Sequence, residues 1–159
     1  MASGDNRAHL LDGLSGAGLR LAIISARWNT EIVGRLADGV RRGLADLGVT
    51  DVSEHSVPGC FEIPLAARTL ARGGTVDAIV CIGAVIRGET THYELVSAGA
   101  ANGIMAAQLE TGVPMAFGLV TVENEDQALA RSEGRGGHNV GEEAAIVAVE
   151  MARLVSNTA

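Results

Sequence analysis

The sequence predicts an α/β fold built on a parallel sheet, and three features carry that prediction. Short apolar runs of strand type alternate with segments whose apolar residues recur at helical spacing. The runs are near-continuous, as in Ala78-Ile-Val-Cys-Ile-Gly-Ala-Val-Ile86, which suits strands covered on both faces. Gly, Pro and polar residues punctuate the ends of the runs. With 159 residues, 47% of them apolar, the chain fits one domain with a substantial core.

Taken in order, residues 1–17 are small, polar and Gly-rich and read as a loose arm ahead of a single domain, 18–159. Leu19 to Ser25 is the first strand. Asn29 or Thr30 can cap a helix whose inner face is Ile32, Val33, Leu36, Val40, Leu44 and Leu47, with Gly48 ending it. Val52 to Val57 is a weaker strand closed by Pro58-Gly59. Ile63 to Ala71 is a second helix, opened by Pro64 in its first turn. Ala78 to Ile86 is the third strand and Tyr93 to Leu109 the third helix. Val113 to Val122 is the fourth strand, and Glu125 to Arg131 a short helix. The Gly-rich loop Ser132 to Asn139 leads to a last helix from about Glu142 to Leu154. Right-handed crossovers leave such a βα series little topological freedom. A sheet of four strands carrying apolar helices is small enough that an oligomer is expected.

Charge and composition narrow the function. A net charge of −7 and an isoelectric point near 5.0 argue against a nucleic-acid partner, whose phosphates need clustered cations. No apolar stretch reaches the roughly 18 residues of a membrane span, and no cationic-then-apolar leader pattern begins the chain, so a cytoplasmic protein is expected. Cys81 falls inside the buried-strand pattern and reads as a core residue. Cys60, in a Pro-Gly turn, is placed to line a site rather than to pair. Neither belongs to a zinc-ligand spacing. The chain has no lysine, and all 12 of its Lys and Arg residues are arginine. That excludes a lysine Schiff base and a Walker A loop, so any imine chemistry must use a substrate amine.

Four segments lie just past the carboxyl ends of the strands, where open α/β sheets bind ligands. They are Ala26-Arg-Trp-Asn29, Pro58-Gly-Cys-Phe-Glu-Ile-Pro64, Arg87-Gly-Glu-Thr-Thr-His92 and Val122-Glu-Asn124. The third is the most informative. An apolar strand stops at Arg87-Gly88, a cluster of hydroxyls, a cation and a carboxylate follows, and a helix N-terminus suited to anions comes next. His92 is the side chain there that exchanges protons near neutral pH. Trp28, the one tryptophan, follows a strand directly and reads as a ligand platform. Glu62 reads equally as a solvated helix-start carboxylate or as a buried acceptor for hydroxyls. Arg131 at a helix end can satisfy carbonyls there, and His138 in its Gly-rich loop is expected to face solvent.

In this order and spacing, the segments resemble the lumazine synthase family. The resemblance runs from about Leu19 to Met151 and includes Gly83-Ala-Val-Ile-Arg-Gly-Glu-Thr-Thr-His-Tyr-Glu94 and Phe117-Gly-Leu-Val-Thr-Val-Glu-Asn-Glu-Asp-Gln-Ala-Leu-Ala-Arg131. It implies a flavodoxin-like three-layer sandwich with a central four-stranded parallel sheet. It also implies a homo-oligomer built from pentamers, in some members an icosahedral capsid, with active sites between subunits. The implied reaction condenses 5-amino-6-(D-ribitylamino)uracil with 3,4-dihydroxy-2-butanone 4-phosphate to 6,7-dimethyl-8-ribityllumazine, phosphate and water, using no metal and no cofactor.

Carried over by position, the resemblance makes Trp28 the platform for the pyrimidine ring. Cys60, Phe61 and Glu62 meet the ribityl chain. Ala84, Val85 and Ile86 offer backbone groups to the uracil edge. Glu89 and Thr90 bind phosphate largely through backbone N–H groups. Phe117 walls the site from the neighbouring subunit, Arg131 brings the phosphate's counter-charge from that side, and His92 carries protons. Two positions depart from the family pattern. Trp28 stands where many members have phenylalanine, and Val140 stands where Asn-Lys-Gly is usual, leaving Arg135 or His138 as possible substitutes for the lysine charge. Two rival readings stay open. One is another enzyme on this scaffold, such as the archaeal type of riboflavin synthase; the other is a non-catalytic lumazine- or flavin-binding shell protein.

Overall fold

Strand β1 (Arg20–Ala26) shows why the sheet must be sandwiched: Leu21 and Ile23 enter one apolar layer, and Ala22 and Ile24 enter the opposite one. Strand β3 (Ala78–Ile86) divides in the same way, Val80 and Ile82 against Ile79 and Cys81. A strand buried on both faces needs helices on both, and successive βα units supply them. The computed structural model describes residues 9–158, so the first eight residues of the expected arm lie outside the described residues. Among those described, α1 (Thr30–Asp46) and α5 (Val140–Thr158) contribute to one layer, and α2 (Ile63–Arg72) and α3 (His92–Thr111) to the other. Strands β2 (Asp51–Val57) and β4 (Met115–Val122) form the sheet edges, and the short α4 (Glu125–Leu129) follows β4. None of the described helices is long and apolar enough to cross a membrane.

All neighbouring strands are parallel, in the order β2-β1-β3-β4. The chain therefore steps outward from β1 to β2 and returns across β1 to β3. That reversal places a topological switch point between β1 and β3. Their ladder ends at Ser25 opposite Ile82, while β3 stays paired with β4 as far as Ile86 and Val122. The two central strands thus fork at their carboxyl ends, and the fork opens a space on the sheet axis.

The observed boundaries differ from the sequence expectation in instructive ways. Met115 rather than Val113 begins β4, since Pro114 has no N–H to give a ladder and offers only its carbonyl, to the Ile79 N–H at 2.9 Å. Helix α5 begins at Val140, two residues before the expected Glu142, because Asn139 caps it: its Oδ1 accepts the Glu142 N–H at 3.1 Å. Described residues of the expected arm are tied down. Gly16 N–H donates to Leu47 O at 2.7 Å, and Arg153 donates to the carbonyls of Ser15 and Ala17.

Candidate active site

The fork between β1 and β3 opens into a cavity of about 660 Å³. Trp28 and Asn29 line it from the end of β1, Gly59 to Glu62 from the end of β2, and Ala84 to Ile86 from β3. His92, Leu95 and Val96 close it from the first turns of α3. Trp28 is 73% exposed, so the lone tryptophan is a rim residue and not part of the core. Gly59 lets the rim close up: a Cβ there would lie 3.1 Å from the Trp28 ring and 3.2 Å from a Glu62 carboxylate oxygen. A 3-10 turn over Cys60–Glu62, absent from the sequence expectation, turns Cys60 inward and leaves Phe61 and Glu62 outward. Glu62 is exposed within the single chain. Phe61 lies against Gly99 of α3, where a Cβ would meet its ring at 2.6 Å.

The loop into α3 runs between Ile86 and His92, both of which line the cavity. Glu89 and Thr90 are exposed there, and Thr90 Oγ1 accepts the His92 N–H at 3.3 Å. Arg87 braces this loop. Its Nε donates to Glu123 at 2.8 Å, a second nitrogen pairs with Glu94, and the guanidinium lies 4.2 Å from the centroid of the Tyr93 ring. The pair with Arg87 holds the Glu94 carboxyl below its ordinary range, and Glu94, then Glu123, raise Arg87 in turn. These exposed pairs contribute little stability individually, but together they join the exits of β3 and β4 to the helix turn that carries His92.

Of the residues expected in the site, Trp28, Cys60, Phe61, Glu62, Ala84, Val85, Ile86 and His92 meet at this one cavity. Glu89, Thr90, Phe117 and Arg131 do not line it within a single chain. Phe117 is 44% exposed on the edge strand β4, and Arg131 donates to Gln127 O at 3.0 Å, the carbonyl contact its helix-end position allowed. His138, expected to face solvent, is half-buried and lies 3.3 Å from Glu143, while Arg135 pairs with Asp46. Val140 packs against the core. Sequence reasoning missed Leu95 and Val96, although their spacing of three and four from His92 puts them on its helix face. It also misjudged the Asn29 side chain, which makes no cap bond to α1 and donates instead to Ala84 O at 3.0 Å.

Both cysteines are free and buried. Burial first, then the nearby Glu62 charge, pushes the Cys60 thiol up to about 11, the Ala84 N–H opposing; burial alone takes Cys81 to about 12. At pH 8 the thiolate fraction of Cys60 is then some hundred-fold below that of an ordinary cysteine. Iodoacetamide at that pH is expected to leave both thiols unlabelled in the folded protein and to label both after denaturation, as read by mass spectrometry. Rapid native labelling of Cys60 would contradict its placement.

Fold and cavity together define a class: an α/β sandwich with a cavity at the switch point of a parallel sheet and an imidazole at the helix N-terminus beyond. Within that class, the 6,7-dimethyl-8-ribityllumazine synthase family profile matches residues 18–156. The 6,7-dimethyl-8-ribityllumazine synthase of Deinococcus deserti is 45% identical over 150 residues, covering 93% of this chain and 93% of its own length. That of Kineococcus radiotolerans is 47% identical over 138 residues, 86% of this chain and 85% of its own. The chloroplastic enzyme of Arabidopsis thaliana is 45% identical over 143 residues, 89% of this chain and 63% of its own. The chain belongs to the 6,7-dimethyl-8-ribityllumazine synthase family. Its function is that of the family, a transferase reaction of riboflavin biosynthesis that joins ribitylaminouracil and butanone phosphate.

Proposed function

We propose that the cavity at the β1/β3 fork is where the condensation takes place, and that the residues around it divide the work. The observation that carries this reading is the meeting of Trp28, Glu62 and His92 at one cavity from three separate segments. Trp28 offers an exposed π-face for the pyrimidine, and Glu62 an exposed carboxylate for the ribityl hydroxyls. The loop through Glu89 and Thr90, at the N-terminus of the 20-residue α3, receives phosphate on backbone N–H groups. Phe117 and Arg131 complete the site from a neighbouring subunit, Arg131 stabilising phosphate as a leaving group. Assembly into pentamers is supported by large apolar residues left exposed on α2, α3 and β4, among them Leu65, Leu95, Met105 and Leu109. Growth into an icosahedral capsid is the largest form this assembly takes. Both substrates are small polar metabolites, which fits a cytoplasmic setting.

The chemistry needs no enzyme amine. The 5-amino group of the pyrimidine forms the imine with the ketone and expels one water, phosphate leaves, the resulting enol tautomerises, and the ribityl-bearing nitrogen closes the ring onto the remaining carbonyl with loss of a second water. His92 moves protons through these steps, while much of the acceleration comes from holding two reactants together. Purified protein mixed with both substrates is expected to form lumazine saturably above the spontaneous background. His92→Ala is expected to lower kcat by about tenfold, below the usual range for acid–base catalysts, because orientation survives the change. Ligand binding without any turnover in the parent protein would favour the non-catalytic reading instead.

A further inference from the structure

We propose that Asn29 is a positioning residue of the site, one that extends the β1/β3 ladder by a side-chain rung and so directs the heterocycle to the Ile86 peptide. The inference rests on the cavity being the pyrimidine site.

Backbone conformation comes first. Among the described residues Asn29 is the one non-glycine with positive φ, at 61°, in the left-handed region that asparagine tolerates better than most side chains. That turn changes the chain's direction between β1 and α1, and the Asn29 carbonyl accepts the Val33 N–H at 3.0 Å, inside the first turn of the helix. The side chain is thereby released from capping α1. It reaches across the fork instead, donating to Ala84 O at 3.0 Å, just beyond the point where β1 and β3 cease to pair at Ser25 and Ile82.

The consequence is a count of free peptide groups on β3. Backbone N–H groups of Ile79 and Arg87 donate toward β4, to Pro114 O and Val122 O. Because backbone groups alternate sides along a strand, Val85 belongs to the β4 ladder, while Ala84 and Ile86 face the fork. The Ala84 carbonyl is occupied by Asn29. Ile86 is left as the peptide on that edge whose donor and acceptor both face an open cavity. A cyclic amide offers a matching acceptor and donor, and it docks there as a short strand would.

The test uses the full-length protein and the single tryptophan as reporter. Ribitylaminouracil is titrated against Trp28 fluorescence in the parent, Asn29→Asp and Asn29→Gly, with thermal melting run alongside. Asp keeps the shape and tolerates the left-handed turn but cannot donate to a carbonyl. Gly keeps the turn and lacks the amide. Both variants are expected to melt close to the parent and to bind the pyrimidine about tenfold more weakly, which is roughly one hydrogen-bond rung. The KM for butanone phosphate is expected to be unchanged, a split that general loosening of the fold would not produce. Parent-like binding in both variants would overturn the role of Asn29 and leave the site reading intact. No response of Trp28 to the pyrimidine in the parent would overturn the site reading itself, and this inference with it.

Discussion

Alanine at Arg131 is expected to lower kcat/KM for butanone phosphate by about 100-fold, mostly through KM, with the KM for the pyrimidine barely changed. A charge-assisted hydrogen bond contributes about 1.5–3 kcal/mol, and a guanidinium gripping phosphate makes more than one. One Arg131 nitrogen is held on Gln127 O, which steadies the guanidinium while leaving further N–H donors for an anion. Within one chain, however, Arg131 is absent from the cavity that holds His92. If neighbouring subunits combine to build each site, two individually weak variants should complement each other. Refolding Arg131→Ala and His92→Ala together in equal amounts is expected to restore about one full site in four by random assembly. Mixtures no more active than the average of the two separate variants would sink the intersubunit placement.

How far the sequence predicts this architecture depends on where each residue finds its partners. The strand Ala78–Ile86 was legible because its burial on both faces is written into its own residues. Helix α1 was legible because Ile32, Leu36, Val40 and Leu44 recur at one helical spacing and are all buried. The rim of the site was legible because Trp28, Cys60 and His92 each follow the carboxyl end of a strand, where the topology concentrates ligand contacts. What stayed hidden depends on tertiary partners. Asn29 reads as a helix cap until Ala84 O lies 3.0 Å from its amide. Val140-Gly141 reads as the tail of a loop. Only the fold brings Arg35 O and Glu133 O to the Asn139 carboxamide, fixing it as the cap of α5. His138 looked solvent-facing because nothing local announces Glu143 beside it.

That same junction gives the largest stability effect expected here. Gly141→Ala is expected to cost about 3 kcal/mol, because the new Cβ would lie 2.2 Å from Leu36 O, a backbone atom that cannot rotate away. Leu36 is itself fully buried, so α1 can yield only by moving as a unit against the sheet. The surrounding contacts are equally close. A Cβ at Gly39 would meet the Asn139 carboxamide at 2.1 Å, and one at Gly43 would meet the Ala145 methyl at 2.9 Å. Helices α1 and α5 thus approach through missing side chains, and the buried Asn139 bridges them by donating to Arg35 O at 3.1 Å. For a chain of this length the loss corresponds to a fall in Tm of roughly 6–12 °C, measured at equal protomer concentration. Gly134→Ala is the matched control, since nothing lies within 4 Å of its Cβ position and its φ is not positive. That substitution should change stability by less than about 1 kcal/mol, in the stabilising direction, by restricting the unfolded chain. Equal melting of the two variants would mean that α1 and α5 separate without cost, and the glycine-mediated contact would lose its explanatory role.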